Sequence, residues 1–377
     1  MSKSETLLIV ADSEHDANML YATGMFVPDP FVFLRTAERD YMVMSDLEID
    51  RARKQAPHCR LLPLSRYQRR LREEGVKQPG FAHIIPLVLQ ERRTRQVTVP
   101  HDFPLGLAVE LQRRRIRVKP KPGAFFPERE EKSPAEIAKL RDALRITEAG
   151  MAAAMEVLRA SKIGKNRRLI YHGAPLTSER VRSAIDTAIA RLNAVASHTI
   201  VAGGDQGCDP HESGHGPLRA NETIVIDIFP RSQATGFFGD LTRTVVRGRA
   251  SEAVRKLYAT VLAGQKLAQG KMRAGTPTSD VHRAVEQFFE AEGYRTGKHN
   301  GRMQGFFHGT GHGLGLEIHE LPRMGANSAG ILKPGHVITV EPGLYYPGLG
   351  GVRIEDVAVI TRGAARNLTR CEKLLEI

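Results

Sequence analysis

His308-Gly-Thr-Gly-His312-Gly-Leu-Gly-Leu-Glu-Ile-His319-Glu-Leu-Pro322 places three histidines within twelve residues and separates them with glycine. Glycine lets a backbone approach a site closely and take up conformations that other residues resist. A lone histidine on a strand is ordinarily a satisfied core residue. Three at this density point instead to a functional site, where perturbed titratable groups gather. Nine of the fourteen histidines fall between His198 and His336, so the clustering extends beyond this stretch.

Acidic residues flank it at the ends of apolar runs. Upstream, Thr223-Ile-Val-Ile-Asp227 reads as a strand ending in aspartate, followed after a glycine-containing turn by Gly239-Asp240-Leu241-Thr242-Arg243-Thr244. A hairpin between them can set both carboxylates on one sheet face. Downstream, Val337-Ile-Thr-Val-Glu341-Pro-Gly and Gly351-Val-Arg353-Ile-Glu355-Asp356 each put a glutamate within or at the end of an apolar strand. An unpaired carboxylate is costly to bury there, so a metal ion or an arginine has to compensate. Arg353 and Glu355 lie two apart and share a strand face, so a structural ion pair competes with a metal as the explanation for Glu355.

Together these segments resemble the pita-bread metallopeptidases, the group of aminopeptidase P, prolidase and methionine aminopeptidase, in order and approximate spacing. The resemblance is close over residues 133–377. It is looser over 1–125, where Leu20-Tyr21-Ala22-Thr23-Gly24 after a helix is similar to the small N-terminal domain of creatinase, prolidase and aminopeptidase P. It implies an α/β, creatinase-like N-terminal domain (1–125), a linker (126–132) and an α+β pita-bread catalytic domain (133–377). It also implies that Asp227, Asp240, His312, Glu341 and Glu355 hold two divalent ions, with Asp240 and Glu355 bridging them. Four carboxylates and one imidazole suit manganese, with cobalt or zinc as alternatives, and no cysteine is present to select a soft metal. Two such ions activate water and polarise a scissile carbonyl.

In the same resemblance Glu341 is the general base, and His211 and His319 are catalytic histidines poised near neutral pH. His308 and Arg353 are substrate-side residues, Arg353 also bracing the site. Asp240 follows Asp227 by thirteen residues, two more than is usual in the family. A two-residue insertion in a hairpin preserves side-chain parity, which keeps both aspartates in the set. It is expected to bring a basic loop containing Arg231 close to the ions.

The function implied is an Xaa-Pro aminopeptidase acting as a homodimer on peptides with proline second. An Xaa-Pro dipeptidase is the alternative within the family. Creatinase-type members have lost the metal ligands, and all five are present here. A non-catalytic pita-bread module binding nucleic acid or protein is the alternative of another class.

The remaining chain fits this frame. A length of 377 residues favours two domains, and 41% hydrophobic with 26% charged residues is ordinary for a globular protein. Short apolar runs at 7–10, 31–34, 41–44, 61–64, 97–99 and 116–118 read as strands, alternating with helical spacing at 13–21, 47–55, 66–74 and 105–115. Lys119-Pro-Lys-Pro-Gly123 marks a boundary, and Ser133-Pro134-Ala135-Glu136 is a capping-box helix start for a helix to about residue 158. Further helices are expected at 177–194, 251–272 and 279–292, and strands at 198–202, 223–228, 241–246, 336–340 and 352–360. No GxGxxG turn supports a dinucleotide fold. The opening residues lack a signal peptide's apolar region, no run approaches a membrane span, and three scattered cysteines fit a reducing compartment, so a cytoplasmic protein is expected. The net charge of +13 concentrates at 69–72, 91–95 and 113–121. Without interleaved aromatics it reads as a solvated basic face rather than a nucleic-acid platform.

Overall fold

A computed structural model describes residues 5–377, and the chain divides into two units, Met1–Arg129 and Glu130–Ile377. The first unit follows from continuous apolar strands, which require cover on both faces. Its strands are β1 (Leu7–Ala11), β2 (Phe31–Arg35), β3 (Asp40–Met44), β4 (Cys59–Pro63), β5 (Gln96–Val99) and β6 (Arg117–Pro120), in the order β4-β3-β2-β1-β5-β6. Only β2 runs antiparallel to its neighbours. Leu8, Val10, Val32 and Leu34 face a core shared with α3 (Leu64–Glu73), α4 (Phe81–Glu91) and α5 (Leu105–Arg113). The alternate residues Leu7, Ile9, Phe31 and Phe33 face α1 (Ala17–Thr23), α2 (Asp46–Gln55) and Phe126.

Two local expectations are corrected in this unit. The first helix begins at Ala17 rather than 13, because the Asp16 side chain accepts from the Met19 N–H and caps it there. Helix α4 was not anticipated: its sequence is almost wholly apolar and carries Pro86 in its middle, and a proline there argues against a helix on local grounds. Ile84, Ile85, Val88 and Leu89 are buried in the core, and that packing outweighs the proline. The division between the units falls inside the stretch 126–132, where Phe126 is buried and Pro127–Glu130 forms a 3-10 turn.

The second unit repeats one arrangement, a helix pair over antiparallel strands. Helix α6 (Pro134–Ala160) opens on the capping box: Ser133 Oγ accepts from the Glu136 N–H, and Glu136 accepts from the Ser133 N–H at 2.8 Å. With α7 (Ser178–Ala190) it packs on the three-stranded sheet Ile200–Gly203, Thr223–Ile228 and Leu241–Val246. Helices α8 (Glu252–Lys271) and α9 (Thr278–Ala291) pack on a five-stranded sheet, ordered Glu320–Met324, Gly311–Gly313, Val337–Val340, Asp356–Ile360 and Ala365–Asn367. A hairpin, Gly343–Tyr346 with Gly350–Arg353, lies beside it.

The strand expected at 352–360 is two strands, broken at Ile354-Glu355. The Glu355 N–H turns to the Thr242 carbonyl at 3.1 Å, and the Arg243 guanidinium takes the Glu355 carbonyl, so neither group serves a ladder. The strand expected from 198 begins at Ile200, because His198 has a left-handed backbone (φ 59°). Among the described residues no helix is long and apolar enough to cross a membrane.

Candidate metal centre and active site

All nine residues singled out in the sequence line one cavity of about 980 Å³: His211, Asp227, Asp240, His308, His312, His319, Glu341, Arg353 and Glu355. The strand register explains how the two aspartates meet. Asp227 lies opposite Thr242, and Asp240 is two residues before Thr242, on the same face. The opposite wall comes from the five-stranded sheet, with His312 on Gly311–Gly313, Glu341 just after Val337–Val340 and Glu355 at the break before Asp356–Ile360. Glycine is required at these crossings. A Cβ on Gly311 would fall 1.9 Å from the Thr339 carbonyl oxygen, and one on Gly351 would fall 1.9 Å from that of Gly207.

Asp240, His312 and Glu355 each offer a ligand atom within 4.8 Å of the others, and His312 Nε2 lies 3.2 Å from Glu341 Oε1 and 3.7 Å from Asp240 Oδ2. His312 Nδ1 donates to the Gly313 carbonyl at 3.1 Å, which leaves Nε2 facing these carboxylates. Burial, and then the neighbouring Asp227, push Asp240 well above the usual carboxylate range. Burial also pushes Glu355 up, with Asp240, Glu341 and Asp227 adding to it. Glu341 moves the other way: burial opposes its charge, but the bond to His312 and the charge beside it hold the carboxyl down at about 2.

The residues fit divalent metal ions. Asp227 Oδ1 and Glu355 Oε1 are buried with no hydrogen-bond partner. Buried acceptors of this kind ordinarily have partners. Their second oxygens are fixed: Arg353 Nη2 donates to Asp227 Oδ2 at 2.7 Å, and Thr242 Oγ1 donates to Glu355 Oε2 at 2.8 Å. The Arg353–Glu355 pair that competed with a metal does not form, because Arg353 turns to Asp227 and Tyr345. In the loop expected near the ions, Phe229 lines the cavity while Arg231 does not: Arg231–Ser232 pairs with Ala194–Val195, and Arg231 Nε donates to the Gly236 carbonyl at 3.2 Å.

The model of metallopeptidase family M24 matches residues 138–362. The chain belongs to that family. Among relatives of this M24 chain, an Xaa-Pro dipeptidase of Pyrococcus furiosus is 37% identical over 181 residues, covering 48% of this chain and 49% of that protein. The chain thus spans about half the length of the curated relatives it matches. The fold is shared along the whole chain with an Xaa-Pro dipeptidase structure from Bacillus anthracis (TM-score 0.80, 23% identity, 99% of this chain and 95% of that one). It is shared equally with an X-Pro aminopeptidase structure from Thermotoga maritima (TM-score 0.81, 21% identity, 99% and 98%).

Several M24 site residues escaped the sequence reading. Tyr345 accepts from Arg353 Nη1 at 2.9 Å and lies 2.9 Å from His308 Nε2, whose Nδ1 bonds the Gly309 carbonyl at 2.8 Å. Since Nδ1 must donate to the carbonyl, the Tyr345 O–H donates to Nε2, and burial keeps His308 neutral by pulling it down to about 4. Arg243 is almost wholly buried and bonds the Thr242, Glu355 and Cys371 carbonyls and Asp356 Oδ1. Arg323 is an exposed cation in the cavity wall. Cys208 is buried, its thiol pushed up to about 12 by desolvation, and it does not line the cavity.

Proposed function

We propose that this chain is an Xaa-Pro aminopeptidase, cleaving the bond between an N-terminal residue and a following proline with two divalent ions, manganese first among them. The observation that carries the reading is the single cavity in which Asp227, Asp240, His312, Glu341 and Glu355 converge, with two buried carboxylate oxygens unpartnered. These five residues would hold the ions. Ions held there would activate a water molecule and polarise the scissile carbonyl. The relatives named Xaa-Pro dipeptidase and X-Pro aminopeptidase support the substrate class.

The protein's own groups then have separate tasks. Glu341 Oε1 accepts from Thr339 Oγ1 at 3.3 Å, which orients a carboxylate that would take the proton of the attacking water and hand it to the leaving amine. His319, pulled down to about 4 by burial and by His312, stays neutral and donates its N–H to the carbonyl oxygen as charge develops there. His211, on the facing turn, contacts the substrate. His308 has both nitrogens occupied and offers its ring, with the Phe307 ring standing perpendicular beside it, as an apolar wall for proline.

One observation favours the dipeptidase reading: Arg323, an exposed cation, lines the same cavity and would pair with a free carboxylate that follows proline. A panel of Xaa-Pro, Xaa-Pro-Pro and longer peptides, assayed with manganese, tests both. Turnover of the longer peptides supports the aminopeptidase and turnover of dipeptides alone the dipeptidase, whereas inactivity across the panel sinks the proposal. A homodimer is proposed on family resemblance, and sedimentation of the purified chain checks it.

A further inference from the structure

Lys132 and Glu320 form an ion pair at 2.7 Å, with side chains only 2% and 6% exposed. Desolvation cancels much of the attraction in such a pair, so stability alone explains it poorly. Each partner is anchored. Lys132 donates its backbone N–H to the Gly335 carbonyl at 2.9 Å and directly precedes the Ser133 cap of α6. Glu320 opens the strand Glu320–Met324, and its Oε1 accepts the Glu317 N–H at 3.2 Å while Oε2 meets Lys132.

The loop between the strands Gly311–Gly313 and Glu320–Met324 is wrapped around this one carboxylate. A Cβ on Gly315 would fall 2.4 Å from Glu320 Oε2, and the Gly315 carbonyl accepts the Phe238 N–H at 2.9 Å. The ladder shifts register immediately after His312. The loop ends in His319, whose ring meets that of His312 edge-on with centroids 4.4 Å apart.

We propose that Lys132 is a positioning residue: through Glu320 it clamps the 314–319 loop and so fixes the His319 ring against His312 at the cavity wall. It does not touch substrate. The proposal rests on the peptidase reading only for the role of His319, because the clamp itself is a property of the loop.

Hydrogen–deuterium exchange and steady-state kinetics on the manganese-loaded full chain test it, with Lys132→Met, Lys132→Arg and the double variant Lys132→Met/Glu320→Leu. In Lys132→Met the peptide covering 313–320 exchanges about tenfold faster while the rest of the Glu130–Ile377 unit is unchanged. Its kcat falls on the order of 10²-fold, as for a misplaced group, with KM nearly unmoved. Lys132→Arg recovers much of both. The double variant keeps a wild-type melting transition, since an apolar pair can replace a buried ionic one, yet retains fast loop exchange and low kcat.

Unchanged loop exchange in both methionine variants overturns the proposal, as does a double variant with wild-type kcat, which would make the pair a stability element only. If Lys132→Met does not fold, the double variant decides alone. If the wild type cleaves no Xaa-Pro peptide, the functional reading falls, while the exchange measurement still decides the clamp.

Discussion

Arg353 and Asp227 meet at 2.7 Å, guanidinium to carboxylate, with side chains 4% and 13% exposed, and Arg353 spends its other terminal nitrogen on Tyr345. The guanidinium fork spans both partners at once. Arg353→Lys supplies one point charge that cannot do so. Manganese affinity is therefore expected to fall roughly 10- to 100-fold, as for other residues that orient a ligand. Calorimetric titration of the metal-free variant checks this, and wild-type affinity would show that Asp227 needs no brace.

Metal removal should weaken folding. Manganese at a hundred times its dissociation constant would add about 2.7 kcal/mol per site. Asp240→Asn removes one of the crowded carboxylates, so the chelated variant should melt no lower than chelated wild type, while added manganese should no longer raise its melting temperature. A variant that still responds fully to manganese would remove Asp240 from the ligand set.

Tyr345→Phe keeps the ring and deletes the hydroxyl that joins Arg353 to His308. Losing a bond to a charged group costs about 1.5–3 kcal/mol, so kcat/KM should fall roughly tenfold or more. Unaltered kinetics on an Xaa-Pro peptide would show that His308 needs no orientation.

Arg323→Gln separates the two peptidase readings. If Arg323 holds a carboxylate next to proline, KM for Xaa-Pro dipeptides rises roughly 10- to 100-fold while Xaa-Pro-Pro peptides are little affected. Equal effects on both lengths would leave Arg323 outside substrate selection.

His336, which does not line the cavity, gives a separate pH dependence. It is 1% exposed with Nε2 unpartnered, and burial, reinforced by Lys132, pulls it from 6.5 down to about 4. The unfolded chain binds its proton near pH 6.5 and the folded chain does not. Stability is therefore full above that pH and lost as pH falls towards about 4, by up to about 1.4 kcal/mol per unit. In His336→Gln this acid limb should flatten in denaturant titrations. An unchanged limb would assign it to other groups.

The sequence was legible where chemistry is local. The Ser133–Glu136 box, the alternating strands of the first unit and the acidic strand ends at Asp227 and Glu341 were read correctly because each depends on neighbours within a few residues. What escaped depends on partners far along the chain. Pro86 sits in a helix sustained by tertiary burial. The break at Ile354-Glu355 is made by Thr242 and Arg243, more than a hundred residues upstream. Tyr345 carries no local signal, and its role comes from the hairpin that brings it to Arg353, eight residues on. The glycine preceding Val352 carried a usable signal, since a Cβ at Gly351 meets the Gly207 backbone, but only the fold says what it would meet.

The unpartnered oxygens of Asp227 and Glu355 have a consequence for the protein's lifetime in a cell. With folding drawn towards the bound form, the concentration of free divalent cation becomes a variable in how much native chain exists at all. Scarcity of the ion would then expose more unfolded polypeptide to proteases, so that starvation thins the population of molecules as well as silencing them.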